Sequence, residues 1–538
     1  MILLATALGL GLRLYQLARP GYLFGVTDYD DGVDFGSAVR LVSGAVPYRD
    51  FALVQPPGIT VLMAPVALLA KASGTQTAFA VARILTACAG AASVVLGGLL
   101  VRHRGLLATT VACGVLAVFP AGIVAAHTVL LEPWLVFFCL LGALAAFDRD
   151  QLATRTSRLF WAGAAFGLAG AIKVWAIFPV LVILALCWRL RGRRAASVYL
   201  GGVVAASGLV VLPFVALAPT AFYHSVIVAQ LSRVDVSRIA IWSRLTSLTG
   251  LDNFHALGKG AVLLVALAIG LLVVLLTLGA SLRSRRAPPA LECFALATAA
   301  LTLAAFLWPP DYYEHYAAFF APFVALSIAL PADRLLSGAG LSRGGGLSRG
   351  GGLWRGGGLW RGGARVRGAR LTALLSGLAV IAILAMTAVE INHIAGLAAG
   401  NPGASARRQI PPGACVLTDQ SALTVVADRF TSNVAGCSPI VDAIGTDYAL
   451  SRGRNGVTGA GRTPAVRTAW LGAFEHAQYL WFSCAPVASR ACDPWTNRRI
   501  PWTPELLAYF KAHFTPVPRE RAPAHVFIRR GLRPIATS

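Results

Sequence analysis

The chain has 538 residues, 57% of them hydrophobic and only 13% charged, with a mean hydropathy of +0.68. Soluble proteins carry about 25% charged residues, so an ordinary soluble enzyme is excluded. The net charge of +24 does not signal nucleic acid either, because Arg and Lys gather in short segments between apolar runs, as at Arg102–Arg104, Arg189–Arg194 and Arg283–Arg286. That placement marks cytoplasmic loops lying against anionic lipid headgroups.

A bilayer-crossing helix needs about 20 apolar residues. Residues 1–17 form a first span running outward, apolar except for Arg13 and Gln16 and with no small-residue cleavage site after it. A polar and aromatic outer loop, 18–76, leads to span two at 77–101, which returns to Arg102-His103-Arg104 inside. Spans three (105–120) and four (130–147) flank a short outer turn around His127. The run from Phe160 to Trp188 has basic segments at both ends and is too long for one crossing. It therefore reads as a hairpin, 160–172 and 174–190, with Lys173 at the outer turn. Span seven is 196–217, a second outer loop covers 219–257, and spans eight to eleven are 258–281, 291–308, 314–331 and 371–391.

The segment from Arg334 to Arg370 carries eight arginines, both ends included, and the repeat LSRGGG, LSRGGG, LWRGGG, LWRGGA. Its composition is that of a flexible linker, 332–370, held on the cytoplasmic side by its charge. Eleven spans from a cytoplasmic N-terminus place residues 392–538 outside. Independently, Cys415, Cys437, Cys484 and Cys492 all fall in that segment and suggest two disulfides, with Cys484–Cys492 the first pairing to consider. Cys88, Cys113, Cys139, Cys187 and Cys293 lie in apolar runs and read as small buried hydrophobes. Short β-prone runs at Ala414–Leu417, Leu480–Phe482 and His525–Ile528 point to a small α/β domain.

The first outer loop carries Asp28, Asp30, Asp31 and Asp34, four carboxylates within seven residues, interleaved with Tyr29, Phe35, Tyr48 and Phe51. Such a cluster holds a metal, poises one member as a base or meets a cation, unless it is simply a solvated loop. Glu132, at the start of span four, is either a helix N-terminal charge or a site residue. Lys173 is costly in an apolar hairpin unless it snorkels to the interface or meets an anion such as phosphate. His315, beside Glu314 and Tyr316, is either an interfacial residue or part of the same outer face.

Asp30-Asp31, an amphipathic stretch, then Gly44-Ala45-Val46-Pro47-Tyr48-Arg49-Asp50-Phe51 and Pro56-Pro57-Gly58 resemble the first-loop signature of GT-C fold glycosyltransferases. These membrane enzymes take a sugar from a polyprenyl-phosphate carrier. Relatives of this kind are the protein O-mannosyltransferases, the lipid A aminoarabinose transferases and the actinobacterial envelope mannosyl- and arabinosyltransferases. The family pair is usually Asp-Glu and here is Asp-Asp. Asp30 aligns with its first member and is preferred as the catalytic base, with Asp31 the alternative. Arg83 matches the arginine that opens the second span. Glu132 matches a second acidic residue that orients the acceptor or a metal, and Lys173 a lysine on the carrier phosphate. Glu314-His315-Tyr316 resembles the His-Tyr entry to a late span. The resemblance covers roughly residues 1–331.

What the resemblance implies is an inverting transfer of a sugar, mannose first and arabinofuranose second, to an envelope glycan, lipoglycan or protein on the extracytoplasmic face of the plasma membrane. Lys173, Arg49 and Arg40 are candidates for the donor phosphate. Glu132, Asp28 and Asp34 are candidates for acceptor or metal, Mg or Mn, whose need is open. Tyr48, Gln55, Glu314, His315 and Tyr316 are candidates for substrate contacts. A transporter or flippase of carrier-linked sugars would instead place its ionisable residues near the bilayer midplane on repeated halves. A scaffold that binds through its C-terminal segment would leave the aspartates and Lys173 without a role.

Overall fold

A computed structural model describes residues 1–232, 239–254, 257–308, 311–337, 358–452, 459–483, 499–517 and 525–533, with residues 337 and 358–369 described in backbone only. Helices stand at each position where the apolar pattern requires one. Seven are long and apolar enough to cross a membrane: Thr75–Arg104, Val174–Arg191, Arg193–Leu217, Lys259–Ser284, Ala290–Leu307, Glu314–Leu336 and Arg370–Ala395. An eighth arises if Leu106–Val118 and Pro120–Ala126, bent by 52°, make one crossing. Ile2–Leu17 and Leu131–Ala146 are apolar but shorter, and Thr156–Ile172 ends just before Lys173. The helix ending at Ala395 already begins at Gly358, inside the segment expected to be linker. The six-residue repeat lies largely outside the described residues.

Pro120 causes the bend, since it has no N–H to give to Leu116 O one turn earlier. The buried Arg13 guanidinium takes that role: it donates to Leu116 O at 3.3 Å, Ala117 O at 3.2 Å and Gly122 O at 3.3 Å, and to Gly9 O at 2.8 Å. Inside hydrocarbon, freed carbonyls need such donors. Gly9 is where the two helices meet, as a Cβ there would stand 3.1 Å from Ala117 Cα. The expectation of buried cysteines holds for Cys113, Cys139 and Cys187, but Cys88 is exposed on its helix and Cys293 is only half-buried. An apolar run does not tell which helix face looks outward.

The Thr75–Val101 helix has 27 residues and so separates its ends by about 40 Å. At its far end His103 and Arg104 meet Asp150 at 2.9 and 2.8 Å, and Arg334 meets Glu292 at 2.8 Å. At its near end Thr75 and Gln76 bond to Val425 O and Asp428 of the C-terminal region. The acidic loop and the C-terminal region thus share one end of the bundle.

That region holds a four-stranded sheet in the order Val416–Thr418, Tyr479–Trp481, Val526–Arg529, Phe514–Pro516, the first pair parallel and the others antiparallel. Three of these strands coincide with the expected runs, and Phe514–Pro516 is an added edge strand. A disulfide joins Cys415 to Cys437; the Cys484–Cys492 pairing lies outside the described residues. The region clamps the acidic loop at close range. A Cβ on Gly32 would lie 2.2 Å from Ala422 N, and one on Gly36 would lie 2.8 Å from the Phe430 ring. Only glycine permits that approach between the Asp30–Val42 and Ser421–Val426 helices.

Candidate functional site

Asp30 opens the Asp30–Val42 helix, whose partial positive N-terminus favours carboxylates. Asp28 Oδ1 accepts the Asp30 N–H at 2.8 Å, fixing the turn into the helix. Residues four apart share a helix face, so Asp30 and Asp34 line one cavity of about 440 Å³ together with Asp28. Asp31 points about 100° away and leaves that cavity. It is fully buried, accepting from Arg83 Nη2 at 2.7 Å, Thr128 Oγ1 at 2.6 Å and Thr27 Oγ1 at 3.3 Å. Arg83 also donates to Tyr22 O and Leu23 O and lies 4.0 Å over the Phe79 ring. Removing one partner of a buried ion pair costs about 3–5 kcal/mol. Asp31→Ala is therefore expected to lower the melting temperature in detergent by many degrees, while Asp30→Ala leaves it near wild type. An Asp31→Ala protein as stable as wild type would remove the structural role.

Across the cavity, Lys173 is an extended residue between Thr156–Ile172 and the turn Val174–Ala176. Its Nζ lies 2.5 Å from Glu132 Oε1 and stands over two rings, 3.7 Å from Trp175 and 4.3 Å from Tyr316. His315 Nε2 is 3.8 Å from the same Glu132 oxygen. A lysine has three N–H donors, so this setting aims the ammonium while leaving donors for a ligand. Among the described residues, Glu132 Oε2 has no hydrogen-bond partner.

The C-terminal region supplies the remaining wall, through residues that the sequence did not single out. Tyr29 OH bonds to Asp442 Oδ1 at 2.9 Å and receives the Ile444 N–H at 3.0 Å. Gln420 Nε2 donates to Asp28 O at 2.9 Å. Arg499 faces the cavity, 5.1 Å over the Tyr29 ring, bonded to Gln420 Oε1 at 3.0 Å and Ser483 Oγ at 2.8 Å. Single polar residues in a polar segment carry no signal that would have flagged them.

Of the other sequence candidates, Gln55, Glu314, His315 and Tyr316 line this cavity. Tyr48 lies beside it, donating to Gln55 O at 2.6 Å. Arg40 is elsewhere, 4.6 Å over the Phe430 ring, and Arg49 pairs with Asp50 at 2.8 Å on the surface. Among the described residues, no three His, Cys, Asp or Glu side chains are placed to hold a metal ion.

Burial, and then repulsion by Asp30 and Asp31, pushes the Asp28 carboxyl up to about 8. Burial, with Asp30 and Glu132 adding repulsion, holds Asp34 well above the usual carboxylate range. The folded chain thus keeps a proton on Asp28 that the unfolded chain releases near pH 4. Its contribution favours folding at low pH and is lost as pH rises from about 4 to about 8. Asp28→Asn keeps the acceptor for the Asp30 N–H, and is expected to flatten the fall in melting temperature between pH 5 and 8.5. An unchanged slope would contradict this.

Residues 54–310 match the model of glycosyltransferase family 87. Among solved structures the chain is similar to ArnT from Cupriavidus metallidurans bound to undecaprenyl phosphate, at 16% identity and a TM-score of 0.53, over 80% of this chain and 85% of that one. The apo state of the same protein gives 16% identity and 0.52, over 79% and 84%. The oligosaccharyltransferase of Archaeoglobus fulgidus in its apo form gives 14% identity and 0.50, over 89% and 68%. No curated protein matches at a significant level. At these identities the structural likeness speaks for the fold, that of the GT-C membrane proteins.

Proposed function

We propose that this chain, whose residues 54–310 match glycosyltransferase family 87 and whose fold is similar to that of ArnT, is a glycosyltransferase that moves a sugar from a polyprenyl-phosphate carrier to an acceptor hydroxyl on the extracytoplasmic side. One observation carries the reading: the loop carboxylate Asp30 and the Glu132-held Lys173 face each other across a single cavity at the end of the bundle. The undecaprenyl phosphate bound to the similar ArnT structure supports a lipid carrier as donor. The mechanism follows from what the bond exchange needs. Asp30 takes the proton of the acceptor hydroxyl, which requires an approach of about 2.6–3.2 Å. The acceptor oxygen attacks the anomeric carbon with inversion as the bond to the carrier phosphate breaks. The bonding electrons leave with polyprenyl phosphate, whose growing charge meets the Lys173 ammonium. Glu132, His315, Trp175 and Tyr316 aim that ammonium, and Arg499 adds a second cation to the wall. Dependence on Mg or Mn stays outside these steps.

The remaining sequence expectations form part of the same proposal. They are eleven spans from a cytoplasmic N-terminus, a catalytic core over 1–331, a cytoplasmic linker within 332–370 between the helices that end at Ser337 and begin at Gly358, an extracytoplasmic domain at 392–538 and residence in an actinobacterial plasma membrane. The resemblance to envelope enzymes puts mannose first and arabinofuranose second. The test is a donor panel with purified full chain and envelope glycan acceptors: radiolabelled polyprenyl-phosphate mannose, polyprenyl-phosphate arabinofuranose and GDP-mannose. Label should pass from a carrier lipid and not from the nucleotide sugar. Transfer from GDP-mannose alone overturns the reading.

A further inference from the structure

A larger cavity of about 1030 Å³ lies beside the reaction cavity, at the seam of the first outer loop, the second outer loop and the C-terminal region. It sits at the top of the range of pockets that take ligands of several rings, roughly 300–1,000 Å³. Two segments build both cavities. Phe51 and Ala52 line the larger one, while Leu53, Val54 and Gln55 line the smaller. In the Ala443–Ser451 helix, Ile444 faces the reaction cavity, and Ala449 and Leu450 face the larger one. The two cavities thus share one chain segment and one helix in their walls.

The two cavities differ in charge. The reaction cavity carries Asp28, Asp30, Asp34, Glu132, Glu314 and Asp442 against Lys173 and Arg499. The larger one carries Arg49, Arg452 and Arg462 with the imidazole of His224, against the single carboxylate of Asp50. Asp50 is occupied by Arg49 at 2.8 Å. Among the described residues, Arg452 and Arg462 have no ion-pair or hydrogen-bond partner for their side chains, and both are exposed. His224 Nδ1 is buried and has no partner among the described residues. Between these polar groups the lining is apolar, with Phe51, Ile440 and Leu450.

We propose that the larger cavity binds an anionic glycan, carrying phosphate or carboxylate groups, as the acceptor of the transfer. The assignment rests on the glycosyltransferase reading above. Guanidinium groups with open donors pair with phosphate or carboxylate oxygens, and the apolar lining takes the faces of sugar rings. The acids of the reaction cavity repel the charged part of such a ligand. Its charge therefore stays at Arg452 and Arg462, and its neutral terminal hydroxyl is the end admitted to Asp30.

The test measures binding without transfer. Purified full chain in neutral-detergent micelles is titrated by microscale thermophoresis with a pentamannose bearing a 6-phosphate and with plain pentamannose. Wild type should bind the phosphorylated sugar at least about tenfold more tightly, a difference of about 1.4 kcal/mol. Arg452→Gln with Arg462→Gln should bring the two sugars within about twofold, each single variant should show part of that loss, and Asp30→Asn should keep the full preference. Equal affinity of wild type for the two sugars, or a preference untouched in the double variant, overturns the proposal. So does loss of sugar-phosphate binding in phosphatidylglycerol nanodiscs but not in phosphatidylcholine ones, which would assign the cavity to a lipid headgroup. The KM for the carrier-lipid donor should stay within about twofold in the double variant; a tenfold rise would place the donor phosphate there instead. If the donor panel fails while the phosphate preference holds, the carrier reading falls and the anion site stands.

Discussion

Asp30→Asn is expected to lower transfer from the carrier-lipid donor by about 10²–10⁴-fold, the usual worth of a positioned general base. The substitution keeps size and polarity but removes the basic oxygen that takes the acceptor proton. Asp30 sits on the cavity wall with its backbone held by Asp28, so its loss should leave melting temperature and donor KM near wild type. The fall should appear in kcat. Asp31→Asn is the informative control, because Asp31 is committed to Arg83 and Thr128. It should harm stability first, with activity following the folded fraction. If Asp31→Asn folds as wild type and loses transfer while Asp30→Asn keeps it, the assignment of the base is reversed.

The second large effect is at Lys173. Lys173→Met strips the ammonium from a carboxylate that is 1% exposed. Leaving one member of a buried pair uncompensated costs about 3–5 kcal/mol. Losing a donor aimed at charge that develops in the transition state costs about 10²–10³ in rate. Both losses are expected, and a double variant separates them. Lys173→Met with Glu132→Gln removes the buried charge, so the melting temperature should recover while transfer stays at the single-variant level. Recovery of both would make Lys173 a structural partner of Glu132 and nothing more.

These two residues were legible in the sequence for a physical reason. A lysine in an apolar hairpin and a carboxylate at the start of a span are expensive in a bilayer, so each stands out against its surroundings. Their pairing through 2.5 Å is a tertiary fact, 41 positions apart, that no local pattern carries. The loop aspartates were visible as a group. Only the phase of the Asp30–Val42 helix divides them, sending Asp30 and Asp34 to the cavity and Asp31 into the core. Trp175 was indistinguishable from an interfacial aromatic until its ring appeared under Lys173. Tyr29, Asp442 and Arg499 were invisible as a set, since they come from a loop, a helix start and a polar segment, the first of them hundreds of residues from the other two.

The fold divides in the same way. Apolar run length located most of the long apolar helices to within a few residues, because hydrocarbon thickness imposes it, but not the start of the Gly358–Ala395 helix. The Leu106–Ala126 bend was missed, although Pro120 and Arg13 both signal it once they are read together. Phe514–Pro516 was missed because a short edge strand ending in proline lacks the alternation of a central one.

The most direct measurement is the structure of the full chain, at a resolution that shows headgroups, with a polyprenyl phosphonate sugar whose carbon linkage blocks transfer. The phosphonate should lie in the 440 Å³ cavity within hydrogen-bond reach, about 3 Å, of Lys173 Nζ. The sugar's anomeric carbon should be turned toward Asp30. A headgroup bound away from Lys173, or a sugar presented to Asp31 or to neither aspartate, would contradict the mechanism.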